Sequence, residues 1–382
     1  MFGPGYGHNV EAKLQELQET TLFDVVFLAY NFDESFKSKY PSINYVPFVF
    51  NINKKHPWRS LKSIWTLYRQ VRHTGKYDVV YSLGEGGLMP LLIYILSKRK
   101  TKKVIEIWNV QLLNSAKRYK TTLDKMNKAV LKRADLVCQY WWGIRELFVQ
   151  LFPEYEPKFL MYQLSYPDIF FSDEKHEPES VFVQEFLASI PNDEIVCFWP
   201  RSIIPSNNHK LLLDSLGIIK NESPDLMNNF KLYIWGGNVE DPQSRSNVEK
   251  AIRTYSLEEN VVIVDHPFVP QNDIFAIEER SNFFVQIAND DILSTYIIEM
   301  LCSGKPFVIS NLRTFHFLNE KYNMDIDYVE NNVQTIAIRI KTILLNLKKG
   351  TIKTDFKKRE ICKSHFSRIN TAPSDKILYD KL

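Results

Sequence analysis

The chain has 382 residues, of which 45% are apolar and 24% are charged. These fractions are close to globular averages, so they exclude a wholly disordered chain, and the counts of 13 Gly and 18 Pro exclude a collagen-like or low-complexity one. Four cysteines without a Cys-x-x-Cys pair argue against a zinc ribbon or a disulfide framework, and the length suggests two domains.

The first half of the chain predicts strands and helices in alternation. Short apolar runs predict strands at residues 23–28, 77–81, 103–107 and 135–138. Helical patterns lie at residues 9–20, 60–73, 87–97 and 122–133. A glycine-rich loop at residues 3–8 opens the chain, and the strand expected before it looks truncated. This βαβ rhythm predicts a parallel, doubly wound sheet.

The second half repeats the rhythm after a polar, acidic stretch at residues 172–180, which we interpret as the linker. Strands are predicted at residues 194–199, 231–237, 261–264, 283–287 and 306–309, and helices at residues 209–220, 247–255 and 292–302. We therefore expect an α/β fold with two Rossmann-like domains that face a central cleft, where the carboxyl ends of the strands bind ligands. The expected division is residues 1–170, residues 181–360, and a tail at residues 361–382 that can pack back on the N-terminal domain.

Charge is divided unevenly between the two halves. Residues 1–170 carry 24 Lys and Arg against 15 Asp and Glu, a net charge of +9, and the remainder carries 24 against 30, a net charge of −6. Basic residues concentrate in an amphipathic helical pattern at residues 54–72 and in a loop at residues 98–103. A basic helix that contains Trp can lie on an anionic membrane surface, or it can pack on a sheet with its charges in water.

The sequence shows neither a membrane-spanning segment nor a secretory signal. No apolar run approaches the ~20 residues of a membrane span, and the first residues lack the pattern of a secretory signal. We therefore expect a cytoplasmic location, with peripheral contact to the inner face of the membrane through the basic half as an option.

The most informative segment is residues 290–306, which lies between two predicted strands. Asp291 precedes a short helix, Ser294 and Thr295 fall in its first turn, and Glu299 follows among apolar residues. The N–H groups that begin such a helix point toward the carboxyl end of the sheet, where they can bind phosphate oxygens. A carboxylate at Glu299 is costly to bury unless ligand hydroxyls or another group bind it. Helix capping alone would also explain Asp291.

This segment resembles the Glu-x7-Glu region of family 4 glycosyltransferases with the GT-B fold, in particular those of bacterial surface-polysaccharide synthesis. Glu299 matches the second glutamate, residues 303–309 match the turn that follows it, and Asp291 stands at the position of the first glutamate. The resemblance implies that Glu299 binds the ribose hydroxyls of a nucleotide and that Asp291 contacts the transferred sugar. It also implies that backbone N–H groups from Leu293 to Thr295 hold the diphosphate.

The resemblance extends over most of the chain. It implies that Arg201, after the first strand of the second domain, binds the donor diphosphate, for which a guanidinium fork is well suited. Lys210 either substitutes for a phosphate-binding lysine of the family or is an ordinary exposed helix residue. His266 and Phe268 lie where the family contacts the nucleotide base.

The N-terminal domain matches the acceptor-binding domain of the family less closely. Its glycine-rich loop contains Gly5 and Gly7, which the resemblance places against the donor. Candidates on the sugar or acceptor side are His8, Glu85 and Asn109. For His8, a loop histidine without a role is the alternative.

The resemblance implies a retaining glycosyltransferase of hexosyltransferase type that acts in capsule, O-antigen or other surface-polysaccharide synthesis. Its donor would be a UDP- or GDP-linked sugar, its acceptor a saccharide or lipid-linked saccharide, and it would need neither a cofactor nor a metal. The alternative is a catalytically degenerate GT-B protein that binds a nucleotide or a partner without turnover. Nucleic-acid binding is disfavoured because aromatic and basic residues do not interleave, and a nicotinamide oxidoreductase because the glycine loop lacks the Gly-x-Gly-x-x-Gly spacing.

Overall fold

The structure is a computed structural model. It describes residues 26–30, 41, 44–48, 65–66, 68–69, 78–84, 88–97, 100–107, 110–139, 142–161, 166, 168–172, 177–235, 241–265, 271–289, 291, 294–352, 354–367, 370 and 380–381. Two compact units are present: Met1–Gln139 with Leu147–Met161 and Asp380–Leu382 form the first, and Tyr140–Glu146 with Tyr162–Tyr379 form the second. The domain limits predicted from the sequence stay predictions.

The first unit contains two parallel sheets. Strands β1 (Val26–Tyr30) and β2 (Asn44–Phe48) pair with each other. The other sheet has the order β3-β4-β5-β6, with β3 at Val79–Gly84, β4 at Lys102–Ile107, β5 at Leu136–Gln139 and β6 at Phe159–Met161. The helices for which the described residues of this half give bounds are α1 (Leu88–Leu96), α2 (Val110–Arg118), α3 (Thr122–Arg133) and α4 (Trp142–Leu151).

The second unit is built on a five-stranded parallel sheet with the order β11-β10-β7-β8-β9. Its strands are β7 (Ile195–Trp199), β8 (Phe230–Trp235), β9 (Val261–Val264), β10 (Phe283–Gln286) and β11 (Phe307–Ile309). Its helices are α5 (Val181–Ser189), α6 (His209–Glu222), α7 (Pro242–Thr254), α8 (Gln271–Arg280), α9 (Thr295–Cys302), α10 (Arg313–Tyr322), α11 (Val333–Lys348) and α12 (Lys357–Phe366).

The central strands β7 and β10 of the five-stranded sheet are apolar except for Gln286 at the end of β10. In β7 and β10, Phe198, Trp199, Phe283 and Phe284 all have 0% exposure. Such continuous apolar runs are expected of parallel strands that are covered on both faces. The ordered core fixes where the two strands end, and therefore where the loops that follow them begin.

The parallel α/β architecture predicted from the sequence is confirmed. Strands β2 and β6 were not predicted, because β2 contains Pro47 and β6 has only 3 residues, too few to form a pattern. Helix α11 was not predicted either, although Asn332 caps it and its apolar residues recur at helical spacing. The predicted helix at residues 9–20 lies outside the described residues. Among the described helices, none is long and apolar enough to cross a membrane.

Candidate active site

The candidate site lies at the carboxyl ends of β7 and β10, which are neighbours in the sheet. The two strands are far apart in the sequence: the Val196 backbone N–H in β7 donates to the side chain of Asn282, 86 residues later and just before β10. From β7 the chain proceeds through β8 to β9 on one side, and then returns to β10 on the other side. In open parallel sheets this reversal of strand order leaves a crevice in which ligands bind. Two loops flank it, one after Trp199 and one after Gln286.

Arg201 and Asp291 meet at this edge. The Arg201 Nη2 atom donates to Asp291 Oδ2 at 3.0 Å, although the two residues are 90 positions apart in the chain. Their side chains are 20% and 9% exposed, so the ion pair is largely shielded from water. Removal of either partner would leave a poorly solvated charge. The two residues that the family resemblance assigns to the diphosphate and to the sugar are therefore in direct contact.

Asp291 is held by two further groups. Gln286, the last residue of β10, donates from Nε2 to the same Asp291 Oδ2 atom that Arg201 contacts. The Thr314 hydroxyl of α10 donates to the backbone oxygen of Asp291 at 2.8 Å. Both side chain and backbone of Asp291 are thus anchored to elements of the second unit.

The loop that carries Arg201 packs against a stacked pair of aromatic rings. The rings of Trp199 and His209 stack with a centroid distance of 4.1 Å, and His209 Nε2 lies 3.2 Å from the Arg201 carbonyl oxygen. Burial lowers the pKa of His209 to about 3, so the ring is neutral and donates to that oxygen. Asn207, also buried, accepts from Arg201 Nη2 at 3.4 Å and donates to the Ser202 carbonyl oxygen at 2.8 Å.

Helix α9 begins beside Asp291. Its N-cap residue Ser294 makes no side-chain capping bond, and the first N–H groups of the helix face the carboxyl edge of the sheet. The Tyr296 hydroxyl donates to the carbonyl oxygens of Phe198, at 2.9 Å, and of Val285, at 3.2 Å. These two bonds tie the first turn of α9 to the ends of β7 and β10. The helix dipole and the Arg201 side chain therefore place positive charge at the same edge.

Glu299 lies further along α9 and is buried, with 6% exposure. Its carboxyl group hydrogen-bonds that of Glu278 on α8, which is equally buried. Burial, together with the Glu299 carboxylate, raises the pKa of Glu278 well above its usual range. The Lys305 Nζ atom caps α8 by donating to the carbonyl oxygens of Glu278 and Glu279 at 2.8 and 2.7 Å. Two adjacent buried carboxyl groups share a proton more readily than they both ionise.

Buried polar atoms without a partner gather around this edge of the sheet. They are Trp199 Nε1, Arg201 Nε, His209 Nδ1, Gln286 Oε1 and Ser294 Oγ, half of the ten such atoms found among the described residues. A polar atom buried without a partner costs about 1–3 kcal/mol, so an accumulation is expected mainly where a ligand or water completes the bonding.

Several of the predicted site residues are not at this edge or cannot be placed. The Lys210 Nζ atom pairs with Asp214 Oδ2 at 2.6 Å on the exposed side of α6, and Asn207, not Lys210, lies beside Arg201. Thr295 is the first residue of α9. The remaining predicted residues, which lie outside the described residues, are Gly5, Gly7, His8, Glu85, Asn109, His266, Phe268 and Leu293.

Sequence reasoning missed Gln286, His209 and Asn207. The signal for Gln286 was available, since a single amide side chain ends the otherwise apolar strand Phe283–Gln286 and would be costly to bury without a partner. His209 and Asn207 carried no such signal, because their environment depends on how the loop after β7 folds back.

Comparison with known proteins gives a family match within the second unit. Residues 184–359 match the model of the family described as Glycosyl transferases group 1. This part of the chain is a glycosyltransferase group 1 domain. The group 1 domain contains every described residue of the candidate site, from Trp199 to Thr314. None of the curated proteins compared matches the chain.

Solved structures that resemble the whole chain show its fold. A glycosyltransferase from Rickettsia africae is 15% identical, with a TM-score of 0.68 over 97% of this chain and 93% of that chain. A UDP-forming trehalose-phosphate synthase from Burkholderia vietnamiensis is 10% identical, with a TM-score of 0.70 over 97% of each chain. Anabaena HepE in complex with UDP-glucose is 14% identical, with a TM-score of 0.68 over 93% of this chain and 92% of that chain. The fold is GT-B, as the sequence predicted.

Proposed function

We propose that the protein is a retaining glycosyltransferase that moves a sugar from a nucleotide-sugar donor, UDP- or GDP-linked, to a saccharide or lipid-linked acceptor. The observation that carries the proposal is the meeting of Arg201 and Asp291, 3.0 Å apart, at the carboxyl edge of the group 1 domain beside the start of α9. The UDP-glucose bound in the HepE structure supports a donor of this class.

The chemistry follows from the charges at this edge. When the bond between the sugar and the diphosphate breaks, negative charge develops on the leaving phosphate. In this proposal the Arg201 guanidinium and the N-terminal N–H groups of α9 stabilise that charge. The bond from His209 to the Arg201 backbone and the bond from Tyr296 to β7 hold the loop and the helix in place before the reaction. Asp291 can accept hydrogen bonds from hydroxyls of the transferred sugar. Because these groups supply the positive charge, we propose that no metal is required.

The biological setting is proposed from the family resemblance and from the charge of the N-terminal half. We propose a role in capsule, O-antigen or other surface-polysaccharide synthesis, with the protein in the cytoplasm and the basic N-terminal half near an anionic membrane. The net charge of +9 on residues 1–170 supports this placement, since an acceptor carried on a lipid is found at such a surface.

The test is turnover and binding with a panel of UDP-, GDP- and dTDP-sugars. We expect Arg201→Ala to lower kcat by about 10²- to 10³-fold, as for the loss of one donor to a developing anion. We expect Glu299→Gln to weaken donor binding, because in this proposal the Glu299 carboxylate accepts hydrogen bonds from the ribose hydroxyls. Arg253→Ala and Glu279→Gln, both at exposed positions of the same domain, are matched controls. Wild-type activity in both site variants would contradict the proposal.

A second candidate is a degenerate GT-B protein that binds a nucleotide without turnover. The observation that favours it is that Arg201 is already neutralised by Asp291 while Lys210 is paired with Asp214. Binding of a nucleoside diphosphate with no release of sugar from any donor would support this candidate.

A further inference from the structure

Gln286 is a buried amide with an unusual position at the candidate site. It ends β10 directly after three buried apolar residues, and it is 1% exposed. Its Nε2 atom donates to Asp291 Oδ2, whereas its Oε1 atom is among the buried atoms without a partner in the described part of the chain. A buried amide that is only half satisfied is costly, so packing alone does not explain why it is there.

Gln286 and Arg201 bind the same oxygen of Asp291, but they differ in charge. The Arg201 guanidinium is the group that a diphosphate would attract, and Asp291 competes with the diphosphate for it. When Arg201 turns toward a phosphate, Asp291 loses its counter-ion in a site where its side chain is only 9% exposed. A carboxylate in that position needs another donor.

The Gln286 amide is suited to supply that donor. It is neutral, so a phosphate has little attraction for it, and its backbone is held by its pairing with Ile309 of β11. It can therefore keep the Asp291 carboxylate in one orientation while Arg201 changes partner. The bond from Thr314 to the Asp291 backbone oxygen, at 2.8 Å, holds the same residue from the other side.

We infer that Gln286 is a positioning residue for the transfer reaction, which holds Asp291 toward the sugar hydroxyls when the donor diphosphate engages Arg201. This inference rests on the proposed function. It assigns the diphosphate to Arg201 and the sugar to Asp291, with Gln286 as the residue that allows both contacts to exist at the same time.

The experiment compares the wild-type protein with Gln286→Leu, Gln286→Glu and the exposed control Gln184→Leu. For Gln286→Leu we expect kcat to fall by roughly 10- to 100-fold, the size of effect seen for small misplacements of a reacting group. We expect the dissociation constant of the nucleoside diphosphate alone to stay within about threefold of wild type, because Arg201 and α9 are retained. The Gln184→Leu variant should match wild type in both.

Gln286→Glu is tested by the pH dependence of its activity, which would not change if Gln286 had only a structural role. It places a second carboxyl beside Asp291, and two such groups in contact bind one proton between them. We expect activity that is retained at acidic pH, where the pair holds its proton, and lost as the pH rises, in contrast to the wild-type profile. Thermal unfolding of each variant shows whether the domain is folded.

The outcomes separate the inference from the proposed function. A folded, active wild type whose Gln286→Leu variant keeps the wild-type kcat, or whose Gln286→Glu variant keeps the wild-type pH profile, would overturn the inference alone. A wild type that neither binds a nucleoside diphosphate nor turns over any donor would overturn the proposed function. A loss of diphosphate binding equal to the loss of kcat in Gln286→Leu would also overturn the inference, since it would show that Gln286 acts on binding and not on Asp291.

Discussion

At the scale of single residues, the candidate site depends on neutral groups as much as on charged ones. Arg201 and Asp291 supply the charges, while the neutral ring of His209 bonds the Arg201 backbone and the amide of Gln286 bonds the Asp291 carboxylate. His209 is the clearest case, because it is 3% exposed, stacked on Trp199 and bonded to the Arg201 backbone. A charged ring at that position would face the nearby Arg201 guanidinium.

His209 predicts a specific dependence of stability on pH. Its pKa is lowered by burial to about 3 from the ordinary value of 6.5, so between these values the unfolded chain binds a proton that the folded chain does not. The free energy of unfolding therefore falls as the pH falls below about 6.5, by up to ~1.4 kcal/mol for each pH unit. His209→Phe keeps a ring on Trp199 but removes this titration.

The measurement is urea unfolding of both proteins between about pH 5 and pH 8. We expect the advantage of wild type over His209→Phe to shrink by about 1–2 kcal/mol from pH 7 to pH 5. At pH 8 the histidine is neutral in both states, so the difference there reports only the lost bond to Arg201 and serves as the internal control. A difference that is independent of pH would show that His209 is accessible to protons in the folded state.

At the scale of elements, the turn between α9 and β11 fixes the helix that carries Glu299. Gly304 has a φ of +68°, and its carbonyl oxygen accepts from the Asp355 backbone N–H at 2.8 Å. A Cβ atom at Gly304 would lie 2.7 Å from Thr354 Cγ2 and 3.0 Å from the Asp355 oxygen. The sequence motif therefore needs glycine here for two reasons, the backbone angle and the close approach of residues 354–355.

Gly350 offers a matched control for this turn. It also has a positive φ, +64°, but no atom lies within 4 Å of the position that a Cβ would take. We expect Gly350→Ala to lower the free energy of unfolding by about 1 kcal/mol through backbone strain alone. Gly304→Ala should cost about 2–4 kcal/mol, since a steric clash adds to the same strain. Chemical denaturation of both variants measures the difference, and equal losses would show that the contacts around Gly304 can relax.

The elements also show where local sequence patterns are sufficient. Helix α3 begins with a capping box in which Thr121 and Asp124 exchange side-chain and backbone bonds, and its predicted limits agree with the structure. Helix α9, in contrast, begins at Thr295, three residues later than predicted. Its start depends on Tyr296 reaching the ends of β7 and β10, which are distant in the sequence.

At the scale of the whole molecule, the uneven division of charge leads to a prediction about membrane binding. The net charge of +9 on residues 1–170 predicts that the protein binds vesicles containing about 30% phosphatidylglycerol and not neutral vesicles. Binding should weaken as the salt concentration rises from about 0.05 to 0.5 M, because exposed charges are screened.

A pair of double variants assigns such binding to the basic half. Arg99→Glu with Lys100→Glu changes the predicted basic loop, and Lys250→Glu with Lys349→Glu makes the same charge change at exposed positions of the second unit. We expect the first pair to reduce co-sedimentation with vesicles several-fold more than the second. Equal effects would indicate that only the total charge matters, and would contradict a membrane-facing N-terminal half.

The sequence by itself determined the parallel α/β class and, through its family resemblance, the GT-B fold, because strand patterns and a helix-starting motif are local features. It also singled out Arg201, Asp291 and Glu299 as candidate site residues. Only the tertiary structure decided which of these side chains meet. The Gln286 amide contacts Asp291 within one βα unit, but the contact of Arg201 with Asp291 and the pairing of Glu278 with Glu299 join residues from different βα units. They are brought together by the sheet order, in which β10 returns to lie beside β7, and no local pattern of residues encodes that order.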